Sequence, residues 1–328
     1  MKKSAQVRLK SYLFLLINTI TWGLALIIVK PSLEVTTPFR YLLYRYVIAA
    51  LCSIPILLYY WPKVKNKISA IQKVLLVEFF GTVVSLGLLY LGLAKTSAIE
   101  ASFLTTTTPI FVVLAGIFIL REKEEAHEWL GLFTAFLGTS LLTFLPIILN
   151  GMSPEGLSLE GNLFIIAQNI TTAIAMIMAK KYYKNLPKLF VTGISFYFGI
   201  VSFLLLSLIE LWVQNNGLNV SMTNLGTQFL QAVQLDLQHQ SVWLASGYMA
   251  IFGSIIGLTA YIKGQDGIEA SEASLFWYLQ PLIFVPAGML LLQEKVHMLQ
   301  IIAMALILLG VYIAEKRIKK RATSRSHS

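Results

Sequence analysis

Apolar runs of about 18 to 23 residues recur along nearly the whole chain, parted by short polar or basic stretches. They predict helical spans at 12–29, 38–60, 71–94, 98–120, 128–149, 160–180, 190–213, 242–262, 270–292 and 298–314. About 20 apolar residues cross the bilayer hydrocarbon at 1.5 Å per helical residue, and the runs lack the alternation of membrane β-strands. The expected fold is an all-α integral membrane protein with ten transmembrane helices.

The pattern repeats. Glu100 to Lys123, EASFLTTTTPIFVVLAGIFILREK, is matched 172 residues later by Glu272 to Lys295, EASLFWYLQPLIFVPAGMLLLQEK. In that register Glu-Ala-Ser, Pro109 and Pro281, Val113 and Val285, Ala115-Gly116 and Ala287-Gly288, and Glu-Lys coincide, and Gly138 falls on Gly310. Helices 4–5 are thus expected to recur as helices 9–10, in two five-helix halves. An odd number of helices per half inverts the second copy, giving an inverted repeat. The expected units are 1–150 (helices 1–5), 151–315 (helices 6–10) and a basic cytoplasmic tail, 316–328. Within 214–241, Leu225, Phe229, Val233 and Leu237 recur every fourth residue among Gln and Asn, as in an external interfacial helix.

Composition and charge sharpen this. The chain is 56% hydrophobic and 13% charged, with mean hydropathy +0.71, against roughly 25% charged for a soluble domain. Its net charge of +10 is a topology signal: with the N-terminus inside, 21 of the 26 Lys and Arg fall on the cytoplasmic side. That placement argues against nucleic-acid binding and for a multi-pass plasma (inner) membrane protein with both termini cytoplasmic. The first apolar run has no signal-peptidase site, so it reads as an uncleaved helix. Cys52 lies within a span and is expected to pack against lipid or core.

Motif and order together resemble the EamA family of the drug/metabolite transporter superfamily. The first half carries Trp22-Gly23, Lys30, Pro38 and Arg45, then Ala101, Pro109, Ala115-Gly116, Leu120-x-Glu122, Gly131 and Gly138. The second carries Glu272-Ala273-Ser274, Pro281, Ala287-Gly288, Leu292-x-Glu294 and Gly310. Helix 6 lacks a Trp-Gly, Pro286 adds a second break to helix 9, and the threonine run is unusual. The resemblance implies a ten-helix transporter with a central cavity formed by both halves, mostly exporting metabolites, amino acids or drugs.

Pro109 and Pro281 each remove a helical N–H near the midplane, freeing the carbonyls of Thr105 and Trp277. Paired breaks in repeated halves point to a transport site. The expected cavity residues are Asn18 and Trp22, Tyr41 and Arg45, Thr105, Thr106 and Thr108, Gln168 and Asn169, and Trp277, Tyr278 and Gln280. Packing and interhelical hydrogen bonding compete for all of them. Arg45 is expected to meet an anionic group of the solute or a structural partner such as Glu34. Glu78 is expected to snorkel, Glu100 and Glu272 to serve helix N-termini, and Glu122 and Glu294 to mark gates or boundaries. Gly253 and Gly257, four apart, permit close helix contact within the fold or in a homodimer.

No nucleotide-binding G-x-x-x-x-G-K-[ST] occurs, the four histidines lack metal-ligand spacing, and the two aspartates form no catalytic pair. The chain is therefore expected not to be an enzyme and to need no cofactor or metal; its partners are a small-molecule substrate and lipid. The expected function is a secondary transporter working by alternating access around a midplane cavity. Two alternatives remain: uptake or exchange of a nucleotide-linked or phosphorylated metabolite, and a membrane-embedded enzyme or non-transporting assembly subunit.

Overall fold

A computed structural model of the chain describes residues 2–120, 126–149, 157–183, 186–214, 222–265, 276 and 279–315. Every regular element among them is helical. In chain order these are α1 (Lys2–Gly23), α2 (Ala25–Val29), α3 (Pro38–Tyr60), α4 (Lys67–Glu78), α5 (Ser85–Lys95), α6 (Ala98–Thr105), α7 (Thr108–Leu120), α8 (Ala126–Thr143) and α9 (Leu145–Ile148). Then follow α10 (Leu159–Tyr182), α11 (Lys188–Gln214), α12 (Met222–Asp236), α13 (Gln240–Tyr248), α14 (Gly257–Gln265), α15 (Pro281–Leu291) and α16 (Met298–Glu315). Two π-helical segments, Phe79–Val84 and Met249–Ile256, join α4 to α5 and α13 to α14.

Among the described residues, seven helical stretches are long and apolar enough to cross a bilayer; the other three expected crossings fall on shorter apolar helices, Trp129–Thr143, Pro281–Leu291 and Met298–Gly310. Their outward faces carry large exposed apolar side chains such as Leu58, Leu282 and Leu290, as a helix in contact with lipid requires. Cys52 is exposed on such a face.

The most extensive packing joins α8 to α16, α3 to α11, α5 to α10 and α1 to α14. Every one of these pairs takes a helix from each half of the chain, and interchanging the halves maps the set onto itself. Small residues set the spacing. A Cβ on Gly138 of α8 would lie 2.6 Å from the Ala303 carbonyl oxygen, and one on Gly310 of α16 would lie 2.6 Å from that of Gly131. These glycines occupy equivalent repeat positions, so the two backbones touch at one symmetric crossing. The π-helical segments obey the same register. Gly81-Thr82-Val83-Val84 falls on Gly253-Ser254-Ile255-Ile256, a correspondence that extends the repeat to helices 3 and 8.

The helix expected within 214–241 is α12, which buries Leu225 and leaves Leu230 exposed. Asp236 at its end is 3% exposed and accepts from Arg40 Nε at 2.7 Å, Tyr44 OH at 2.8 Å and Thr36 Oγ1 at 2.5 Å. The aspartate thereby ties α12 to the start of α3.

Candidate functional site

The interruption of helix 4 falls at Thr106 and Thr107, between α6 and α7, with Pro109 in the first turn of α7. Proline is tolerated there because first-turn N–H groups have no helical acceptor. All four threonine hydroxyls bond back three residues: Thr105 to Ser102, Thr106 to Phe103, Thr107 to Leu104 and Thr108 to Thr105, at 2.6–2.8 Å. The Thr105 carbonyl freed by Pro109 is thus served by the hydroxyl of Thr108. Asn169 of α10 closes the break from outside the helix. Its Nδ2 donates to the Leu104 carbonyl and to Thr107 Oγ1, both at 2.9 Å, and its Oδ1 lies 2.7 Å from Thr108 Oγ1.

Beside this break lies a cavity of about 450 Å³. Its wall brings together Trp22, Arg45, Thr105, Thr106, Thr108, Gln168 and Gln280 with Tyr90, Thr172, Met176, Met249 and Tyr261. Gln280 immediately precedes α15, whose first residue is Pro281, so residues beside both prolines face one space. The rings of Trp22 and Tyr261 lie 5.8 Å apart and form an aromatic side. Leu26, Leu86 and Leu89 complete the apolar wall. Such a lining, mostly apolar with a few convergent polar groups, suits an amphipathic organic molecule.

Arg45 is the one Lys or Arg in that wall among the described residues. It does not meet Glu34, which is exposed; Nη1 donates to Tyr90 OH at 3.1 Å and Nη2 to Ser254 Oγ at 3.2 Å. Arg45 Nε and Gln168 Oε1 are buried without a hydrogen-bond partner among the described residues. A second space of about 240 Å³ shares Trp22, Arg45 and Gly253 with the cavity and extends past Glu78, Thr192 and Ser195. Through Glu78 and its donor Tyr183 it lies near the C-terminal end of α10, which carries Lys181.

The structure places other expected residues away from the cavity wall. Asn18 is fully buried and its Nδ2 donates to the Gly257 carbonyl at 3.0 Å. With Trp22 Nε1, which donates to the Gly253 carbonyl at 3.0 Å, it ties α1 to the glycines of helix 8, whose close contact is therefore intramolecular. Tyr41 is fully buried behind Tyr90, 5.1 Å from it ring to ring, and its hydroxyl reaches the Ala245 carbonyl. Asn169 fastens the break as described. In each case an interhelical carbonyl or hydroxyl accepts from a donor that would otherwise sit unpaired in an apolar span, while Asn18 Oδ1 is buried without a partner among the described residues. Trp277, Tyr278, Glu122 and Glu272 lie outside the described residues, as does the carbonyl of Trp277.

The carboxylates also differ from expectation. Glu78 does not snorkel: it accepts from Tyr183 OH at 2.8 Å, Ser195 Oγ at 2.7 Å and Thr82 Oγ1 at 2.5 Å. Burial and the neighbouring carboxylate hold the Tyr183 phenol well above its ordinary pKa, so it stays a donor. Glu100 sits in the first turn of α6, where Ser97 Oγ caps its N–H at 3.1 Å. Its carboxylate turns inward to Asn162 Nδ2 (3.1 Å) and Gln300 Nε2 (2.6 Å). Glu294 accepts from the backbone N–H groups of Ala98 and Ile99 at 2.6 and 2.8 Å, so an acid from the second half caps the broken helix of the first. A left-handed Gln293, φ 55°, turns the chain after α15 and directs Glu294 there.

Tyr90, Ser254 and Glu78 escaped the sequence reading as site residues. A signal for Ser254 existed in the Gly81-Thr82 and Gly253-Ser254 register, which repeats at the same 172-residue offset as the broken helices.

A multi-pass helical bundle with a polar-studded internal cavity at a broken helix defines a membrane transporter. The EamA-like transporter family matches the chain twice, over residues 9–144 and 159–315, and the chain belongs to that family. Similar proteins include the "uncharacterized transporter YcxC" of Bacillus subtilis, 22% identical over 95% of this chain and 94% of the relative. An "uncharacterized transporter" of Archaeoglobus fulgidus is 25% identical over 94% of this chain and all of the relative. The chloroplastic WAT1-related protein At3g02690 of Arabidopsis thaliana is 23% identical, over 89% of this chain and 66% of its own length. A solved crystal structure has a similar fold, with TM-score 0.56 and 16% identity over 94% of this chain and 96% of its own.

Proposed function

We propose that this transporter exports a small organic metabolite, amino acid or drug by alternating access, as a secondary transporter with ten crossings in two inverted five-helix halves. The observation that carries this is the single cavity faced by residues flanking both midplane prolines, Thr105, Thr106 and Thr108 on one side and Gln280 on the other. Arg45 orients the solute from helix 2, and the aromatic and methionine side chains hold its apolar part. The space past Glu78 is the cytoplasmic approach. The contact of Glu294 with Ala98 and Ile99 is part of the seal on the opposite, external side. Against uptake of a phosphorylated or nucleotide-linked solute stands the engagement of two other cations, half-buried Lys30 and buried Arg40. Lys30 donates to the carbonyls of Leu93 and Thr96, both at 2.7 Å, and Arg40 pairs with Asp236.

Counterflow in proteoliposomes with an amino-acid and drug panel, with and without a pH gradient, tests the proposal. Arg45→Gln and Thr105→Val combined with Thr106→Val are expected to lower flux at least about tenfold at unchanged expression. Wild-type flux in all of them would overturn the site.

A further inference from the structure

The 240 Å³ space is walled by two charges of opposite sign, Arg45 and Glu78, and neither has a charged partner among the described residues. Arg45 rests on two neutral hydroxyls and Glu78 on three. They form no ion pair with each other. The supporting hydroxyls include one repeated position: Thr82 in the first half bonds the acid, and Ser254, its equivalent 172 residues on, bonds the base. Both stand on the π-helical segments, a feature often kept at functional sites. Both residues are half-buried, and drawing a charge out of water with only neutral company is costly, since hydroxyls compensate less well than a counter-charge. Arg45 Nε, moreover, is a buried donor with no acceptor among the described residues.

We propose that Arg45 and Glu78 form a recognition site for dipolar solutes, which place an anionic group on the guanidinium and a cationic group on the carboxylate. The proposal rests on the transporter reading only for the site's place on the solute route. Glu78 is then a specificity residue. It disfavours solutes that carry an anionic group alone, although Arg45 by itself would attract them.

The probes are 3-aminopropanoate, 4-aminobutanoate and 6-aminohexanoate, each set beside the unsubstituted carboxylate and the alkylamine of matching length. Binding to purified full-length protein is read by thermal shift and by fluorescence of Trp22, which lines both spaces. At least one amino acid of the series is expected to half-saturate about tenfold or more below both matched mono-ions. Glu78→Gln, which keeps the shape and one acceptor oxygen while the hydroxyls facing its amide group must turn to accept, is expected to bring that amino acid to the level of its matched carboxylate. Glu78→Asp, one methylene shorter, shifts the preferred chain length upward and serves where the glutamine variant does not fold. Equal binding of amino acid and mono-ion by the wild type overturns the proposal, as does an unchanged ratio or length preference in these variants. Counterflow of the same probes separates the two readings. Binding without counterflow leaves the site standing and overturns transport of that probe, whereas counterflow of a mono-ion without dipolar preference leaves transport standing and overturns the site.

Discussion

Replacing Glu294 by alanine removes both acceptors at the start of α6. Ala98 and Ile99 are 0% and 1% exposed, so their N–H groups cannot turn to water once the carboxylate is gone. Ser97 serves only the next N–H, that of Glu100. Each stranded buried donor costs about 1–3 kcal/mol, and loss of the negative charge at a helix N-terminus adds up to about 2. The expected total for Glu294→Ala is about 2–8 kcal/mol. Glu294→Gln retains one acceptor oxygen and should cost about half as much. The control is Glu160→Ala, which breaks the Lys95–Glu160 pair, 2.9 Å long but with side chains 42% and 61% exposed, and should cost about 0–1 kcal/mol. The assay is thermal unfolding of the purified proteins at one scan rate, since unfolding of such a protein is commonly irreversible. The order alanine, glutamine, control is expected in the fall of Tm. A Tm for Glu294→Ala no lower than that for Glu160→Ala would refute the reasoning.

Other substitutions address the remaining joints. Asn169→Ala should lower stability by about 1–2 kcal/mol by removing the three hydrogen bonds that hold α10 to the break, while Thr105→Val, at the cavity wall, should change Tm little. Gly310→Ala drives a Cβ into the Gly131 carbonyl and should cost about 1–3 kcal/mol or more, whereas Gly247→Ala, with nothing within 4 Å, should be neutral or stabilising; Tm of the pair checks this. Asp236→Asn leaves the Arg40 guanidinium buried without its counter-charge, at a cost of about 3 kcal/mol, and should speed hydrogen exchange in α12 and around Thr36.

Much of the fold was legible because apolar run length answers directly to bilayer thickness. The break was legible too: proline following four threonines names both the lost hydrogen bond and the hydroxyl that replaces it. The cavity was only partly so. Helical spacing places Asn18 and Trp22 on one face of α1, but it cannot say that this face meets the glycine backbone of helix 8. There Asn18 is spent on a carbonyl, while Trp22 both bonds a carbonyl and borders the cavity. Tyr41 and Arg45 diverge in the same way, one behind Tyr90 and the other beside it. Glu78 was misjudged because its nearness to a helix end suggested water. Its donors, Tyr183 just past the end of α10 and Ser195 of α11, lie more than 100 residues away, and only tertiary packing brings them near.

The crossing of α8 and α16 at Gly138 and Gly310 constrains how the halves can rearrange. Two backbones in van der Waals contact can swivel about their point of contact, but neither can slide without driving a carbonyl into the facing chain. If the halves move as alternating access requires, displacement would be least at that crossing and would grow with distance from it, as along a lever from its fulcrum. A disulfide or a bulky side chain at the glycines would act on the whole lever, whereas the same change near the open ends would restrain only one of them.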